Sequence, residues 1–186
     1  MIPTHAARLQ SMLRSMTEVI IPALNRDDQL ARDQAQILLG NLRLLSDQAD
    51  RTYEYDMVEL REYVALLKEL TRIVSGGSQT EEHKEVANRA IKEAEPMAAL
   101  AIPTHQLLST RLQSLKSTVD GLIAATNADG TPTSRKDAIA AVLKQAASQN
   151  LRERAWFRSS GFDSAQQELP SLDQVLRLTG DGRESA

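Results

Sequence analysis

The sequence predicts an all-α protein, and three observations support that prediction. Residue types that favour helices, chiefly Leu, Ala, Gln, Glu and Arg, dominate the 186 residues, while aromatic residues make up only 3%. Apolar residues recur at gaps of three and four, and no stretch alternates convincingly with period two. Clusters containing Gly, Asn or Ser separate these periodic runs. We therefore expect helices joined by short turns along the whole chain.

Composition excludes several classes of function. The net charge of −3 gives no electrostatic reason to expect nucleic acid or an anionic membrane as the main partner. The absence of Cys excludes disulfides, Cys-ligated zinc and thiol nucleophiles. The N-terminus does not resemble a signal peptide, and the longest apolar run, 97–102, is too short to cross a bilayer. These features predict a cytoplasmic protein without a membrane partner.

The first helix is expected to start near Thr4 and to run to about Leu24, with Pro22 bending or ending its last turn. An Asp in the following turn, 25–28, is expected to cap the next helix. The first helix has one apolar stripe at gaps of three and four: Ala6, Leu9, Leu13, Met16, Ile20 and Leu24.

A second helical run extends over 28–75 without a proline. Its apolar gaps alternate between four and three up to Leu45, and then read four, four, four from Leu45 to Met57. Such a stutter moves the buried face around the helix. The pattern leaves open whether this run is one helix or two. Its stripe is Ala31, Ala35, Leu38, Leu42, Leu45, Ala49, Tyr53, Met57, Leu60, Val64, Leu67 and Val74.

A third run, 80–127, follows the stop at 75–78 and is interrupted by Pro96 and Pro103. If the chain folds back at Gly76 and Gly77, position 53 lies opposite roughly position 102. The stutter of one run then faces the prolines of the other. Two irregularities at one level predict a structural joint there.

The last long helix is expected to start at Ser134, with Asp137 completing a capping box, and to end at Gly161. A tail over 161–186 follows, with a short amphipathic helix at about 170–178 and disordered last residues. This short helix is expected to dock on its own chain. Its alternative role is a peptide that binds in a groove of a partner.

Four segments of similar length predict an up-down-up-down four-helix bundle forming a single domain over 1–160: 4–24, 28–50, 104–127 and 134–158. A helical hairpin over about 56–95 is then expected to extend from one end, between the second and third bundle helices. In this arrangement the turn around residue 130 lies at the end opposite to the joint and the hairpin.

The tetrapeptide Ile-Pro-Thr-His occurs twice, at 2–5 and at 102–105. Arg-Leu-Gln-Ser also recurs, but its offset is 103 residues rather than 100, which argues against an internal duplication. We interpret both copies as one way of starting a helix, with Pro setting φ and Thr4 or Thr104 capping the first turn.

The joint gathers most of the aromatic residues and is the predicted ligand site. Arg154 and Arg158 are spaced to hold a phosphate or a carboxylate. The alternative is that the aromatic rings only fill a wide junction. We predict no catalytic residue, cofactor or metal. No Glu-x-x-His motif exists, and a zinc site at the two histidines needs a third ligand, for which Asp50 and Asp56 are the only nearby acids. The candidate residues are His5, Tyr53, Tyr55, His105, Arg154, Trp156, Phe157 and Arg158.

The leading functional hypothesis is a non-enzymatic interaction module that self-associates, as a homodimer, or binds a protein partner through the hairpin 56–95. The hairpin carries apolar residues beyond the main stripe: Val58, Leu66, Leu70 and Ile73. The alternative hypothesis is a protein or enzyme that binds a small anionic ligand in a cleft at the aromatic and arginine end of the bundle.

Overall fold

The computed structural model describes residues 4–99, 104–161, 163–165 and 167–177. Within them the secondary structure is helical apart from one isolated bridge, so the all-α prediction is confirmed. The long helices are α3 (Gln29–Gln48), α4 (Thr52–Ile73), α5 (Ser78–Ala99), α6 (His105–Asp129) and α7 (Pro132–Trp156). None of the helices among these residues is both long enough and apolar enough to pass through a membrane.

The chain divides into two compact units. We call residues 1–52 with 151–175 the hairpin unit, and residues 53–150 with 176–186 the four-helix unit. The single domain expected over 1–160 stays a prediction. The predicted four-helix bundle also stays a prediction, because its segments fall in different units. Segments 4–24 and 28–50 belong to the hairpin unit, whereas 104–127 and most of 134–158 belong to the four-helix unit.

The hairpin unit begins with one helical stretch in three parts: α1 (His5–Ser15), a π-helical segment (Met16–Ile20) and α2 (Ile21–Ala23). The predicted caps are confirmed. The Thr4 hydroxyl accepts a hydrogen bond from the amide of Ala7 at 3.2 Å, and the Asp28 carboxylate accepts one from the amide of Ala31 at 3.0 Å. The buried cluster between these helices is small, with Met16, Ala35 and Leu39 at its centre.

The hairpin unit also contains the end of α7, a 3₁₀ helix (Arg158–Ser160) and most of α8 (Leu172–Arg177). The 3₁₀ helix packs on α3 and ends at Gly161, whose φ of 79° is left-handed. Leu169 and Val175 are buried, so the predicted short helix exists and its segment packs on its own chain. The disorder predicted for the last residues lies outside the described residues.

The four-helix unit has one core to which α4, α5, α6 and α7 all contribute. Helix α4 runs antiparallel to α7: Ser148 donates a hydrogen bond to Glu62 at 3.2 Å, whereas Ser75 bonds to Ser134 near the opposite end. Helix α5 packs antiparallel to α6. The two helices approach closely because small side chains of α5 face this interface. The buried alanines of α5 are Ala87, Ala90 and Ala94.

The turns that precede α5 and α7 contact each other, and we call this contact the turn clasp. Gly76 and Gly130 form an antiparallel bridge. The amide of Thr131 donates to the carbonyl of Ser75 at 3.0 Å, and the amide of Gly77 donates to the carbonyl of Asp129 at 3.0 Å. The prediction that 56–95 extends away from the turn at 130 is therefore wrong. Two glycines without side chains allow the two turns to approach.

The apolar residues of 56–95 that were expected to form an association surface lie inside the four-helix unit. Val58, Leu66 and Leu70 are buried, and Ile73 packs partly buried against the core. Their surface is covered by neighbouring helices of the same unit, so it is not available to a partner.

The predicted joint is confirmed in part. Helix α3 ends at Gln48 and α4 begins at Thr52, so the run 28–75 is two helices that break at the stutter. Within the four-helix unit, Nδ1 of His105 lies 3.3 Å from Oδ2 of Asp56, so the start of α6 lies beside the start of α4. Thr104 caps α6 by accepting a hydrogen bond from the amide of Leu107 at 3.3 Å. Pro96 lies inside α5, which continues to Ala99, so the expected interruption at this proline is wrong. Pro103 lies outside the described residues.

The start of α7 differs from the prediction. The helix begins at Pro132, and the Thr131 hydroxyl accepts a hydrogen bond from the amide of Ser134 at 3.1 Å. Ser134 is therefore not the cap. Its buried hydroxyl instead accepts a hydrogen bond from the amide of Ser75 at 2.9 Å, within the turn clasp.

The carboxylate of Asp129, at the end of α6, caps the start of α5. It accepts hydrogen bonds from the amides of Gln79 and Thr80, at 2.8 and 3.0 Å, and from the Thr80 hydroxyl at 2.5 Å. The Thr80 hydroxyl and these amides hold the pKa of Asp129 below its ordinary value.

This arrangement predicts an acid-dependent contribution to stability. Because the pKa of Asp129 is lower in the folded state, its stabilisation is complete above the unfolded pKa of about 4 and is lost as pH falls below that value. Asp129→Asn is expected to lower the Tm at pH 7 and to flatten the fall of Tm between about pH 4 and pH 2. Thermal unfolding followed by circular dichroism measures both effects. An unchanged acid dependence contradicts the capping role.

Candidate interaction surface

An apolar surface lies open on the hairpin unit. Leu38 and Leu45, both members of the predicted core stripe, are 49% and 53% exposed. Met12 and Ile20, which face them from the first helical stretch, are 52% and 44% exposed. Helix α3 is apolar around more than one face, and the face that contains Ala35 and Leu39 is the one that is buried.

These exposed side chains line two neighbouring clefts. Two clefts, of about 430 and 330 Å³, lie between the first helical stretch and α3 and share Met12. We call them together the hairpin groove. Its apolar lining consists of Leu9, Met12, Met16, Ile20, Leu38, Leu42 and Leu45, and His5, Arg8 and Asp50 lie at its open end.

The π-helical segment forms part of one wall of the groove. Met16 and Ile20, its first and last residues, both line the groove. In such a segment the amide bonds five residues back, as the amide of Ile21 does with the carbonyl of Met16. A π segment is less favourable than regular helix, and such segments occur frequently at functional sites. Its position in the groove wall agrees with a functional surface.

Charge is distributed unevenly along the hairpin. The half near the open end, residues 5–16 and 34–50, contains three arginines and two aspartates. The half near the turn, residues 17–33, contains two arginines and four acids: Glu18, Asp27, Asp28 and Asp33. One half is therefore net positive and the other net negative.

Two of the predicted ligand-site residues line a different cleft of the hairpin unit, of about 470 Å³. Trp156 and Arg158 lie there with Arg51 and Asp173, which form an ion pair with each other. Nε2 of Gln48 donates a hydrogen bond to the Trp156 carbonyl at 3.1 Å, which fixes the end of α7 against the end of α3.

The two arginines that were expected to hold an anion are engaged by their own chain. Arg154 makes a bidentate pair with Asp163, with Nε to Oδ2 at 2.8 Å and the second nitrogen to Oδ1 at 3.2 Å. Hydrogen bonding within this pair lowers the pKa of Asp163 and raises that of Arg154. Arg158 donates to the carbonyl of Leu169 at 3.3 Å. Phe157 is exposed beside them.

The remaining candidates divide between the units. His5 belongs to the hairpin unit, whereas Tyr53, Tyr55 and His105 belong to the four-helix unit. The convergence of all eight residues at one place stays a prediction. Tyr53 is exposed and Tyr55 is half-buried.

A polar cluster next to His105 was not anticipated from the sequence. Lys116 pairs with the buried Glu59 at 2.9 Å and lies 5.5 Å from the centre of the Tyr63 ring. Burial raises the pKa of the neighbouring Asp56, although the nearby His105 opposes that shift. The spacing of Asp56, Glu59 and Tyr63 along one helix face was the available signal.

No group of three acidic or histidine side chains among the described residues is arranged to hold a metal ion. Comparison with known proteins assigns no family. The sequence matches no protein-family model, and no curated protein and no solved structure shows significant similarity to it.

Proposed function

We propose that this protein is a non-enzymatic interaction module and that the hairpin groove is its docking surface. The groove takes an apolar helical surface of a protein partner. The observation that carries this proposal is the exposure of Leu38 and Leu45, which the periodicity of the sequence assigns to a helical core.

The size of the hairpin core supports the proposal. Two helices leave only a small buried cluster around Met16, Ala35 and Leu39, while a wider apolar surface faces solvent. Contiguous apolar patches on a protein surface commonly mark sites of association. Further helices laid in the groove would complete a bundle of the kind that the sequence predicts for segments 4–24 and 28–50.

The alternative, a small anionic ligand at the aromatic and arginine end, has weaker support. The Arg154 guanidinium already forms a bidentate pair with Asp163, so its charge is partly neutralised within the chain and an anion has to compete with this carboxylate. Arg158 also donates to its own chain.

Site-specific crosslinking tests the proposal in the cells that produce the protein. A photo-crosslinking amino acid in place of Leu38 or Leu45 is expected to capture an identifiable protein through an amphipathic helix, mapped by mass spectrometry. Leu143, on α7 and 63% exposed, provides the matched control position. The absence of crosslinks at 38 and 45, or the same crosslinks at 143, overturns the proposal.

A further inference from the structure

We infer that the helical surface that occupies the hairpin groove belongs to a second copy of this chain, and that the two hairpins lie antiparallel across a two-fold axis. This inference rests on the proposed function, because it names the occupant of the same groove. It places the turn end of one hairpin at the open end of the other.

The charge distribution indicates both that the occupant is a second copy and that the two copies are antiparallel. Each hairpin has a net positive open half and a net negative turn half. An antiparallel pair places every positive half against a negative half, whereas a parallel pair places like charges together. The surface is thus complementary to itself in one orientation only, as a two-fold interface requires.

The antiparallel arrangement predicts a specific ion pair between the two copies, which involves Arg8. Arg8 lines the open end of the groove, and Asp27 lies in the exposed turn at the other end of the hairpin. A two-fold axis level with about Thr17, midway between positions 8 and 27, brings each Arg8 towards the Asp27 of the second copy. The two-fold symmetry makes this contact twice.

The apolar surface supplies the association energy in the same arrangement. Leu38 lies near the middle of α3, and Met12 and Ile20 lie on either side of the middle of the first helical stretch. Around a central axis these side chains meet their counterparts, and four helices enclose one shared apolar core.

Sedimentation of the purified full chain tests the identity of the occupant. The wild type is expected to be a dimer, Leu38→Glu is expected to be a monomer, and Leu143→Glu is expected to remain a dimer. A wild type that stays monomeric at high concentration overturns the inference. If a different protein is crosslinked at position 38 in cells, the proposed function survives that result.

Charge reversal tests the direction. Arg8→Glu is expected to raise the dimer dissociation constant about fivefold at low salt, since each dimer loses two ion pairs and gains repulsion. Adding Asp27→Lys to that variant is expected to restore the wild-type affinity, while Lys144→Glu, an exposed control, is expected to have no effect. An equal loss in the single and double variants contradicts the antiparallel arrangement.

Engineered cysteines test the geometry independently, because the natural chain contains no Cys. With a short bis-maleimide, Ser15→Cys near the axis is expected to link to its own copy, and His5→Cys at the open end is not. A mixture of His5→Cys and Asn25→Cys is expected to link across copies. Self-linking of His5→Cys indicates a parallel dimer and overturns the antiparallel arrangement.

Discussion

Leu67→Ala is expected to lower the free energy of unfolding of the four-helix unit by about 3 kcal/mol. Leu67 has no exposed surface and belongs to the core shared by α4, α5, α6 and α7. Truncation removes apolar contacts on every side and leaves a cavity, because the surrounding helices relax only in part. Urea unfolding followed by circular dichroism measures the change.

Leu143→Ala is the matched control for this prediction. Leu143 is 63% exposed on α7, so the same truncation is expected to change stability by less than about 0.5 kcal/mol. Equal effects at the two positions contradict the assignment of the core.

Gly76→Ala is expected to destabilise the four-helix unit by about 2–3 kcal/mol, because it separates the turn clasp. A Cβ at position 76 lies 2.6 Å from Cα of Gly130 and 2.8 Å from the carbonyl oxygen of Asp129. Both neighbours are backbone atoms, so relief requires the two turns to move apart. Thermal and urea unfolding measure the effect.

Gly40→Ala tests whether the loss comes from the clasp and not from glycine replacement in general. Gly40 lies within α3, and the nearest atom to an added Cβ is the carbonyl oxygen of Ser160 at 3.8 Å, an ordinary contact. Alanine has the higher helix propensity, so this variant is expected to gain up to about 1 kcal/mol. A loss at position 40 equal to that at position 76 removes the argument from close approach.

Local signals in the sequence predicted most of the elements. Thr4, Asp28 and Thr104 cap helices as their residue types predict, because a side-chain oxygen before a helix satisfies a free amide wherever the helix then packs. The stutter between Leu45 and Met57 spans the place where α3 ends and α4 begins, but the pattern alone left open whether the run is one helix or two.

The packing partners of the helices could not be predicted in the same way. Apolar periodicity gives the face that a helix buries but not the neighbour that covers it. The contact between Gly76 and Gly130 joins distant parts of the chain, and no local pattern specifies it. The start of α7 differs from the prediction for a local reason: Thr131 followed by Pro132 is itself a standard cap and first helical residue, and this pair precedes Ser134.

The candidate ligand site shows the same limit. Arg154 and Arg158 are one turn apart, as an anion site requires, but their actual partners, Asp163 and the carbonyl of Leu169, come from the segment that follows α7. The composition of that segment does not predict that it folds back onto the end of α7. The hairpin groove was likewise missed, because Leu38 and Leu45 fit a core stripe in every respect except their exposure.

The turn clasp has a consequence for folding kinetics. It joins two turns that are separated along the chain by the whole of α5 and α6, so its loop-closure entropy is large compared with that of a local helical pair. Contacts of this kind form late. Substitutions there should accelerate unfolding and leave the refolding rate almost unchanged, which makes the clasp a determinant of how long the native state persists.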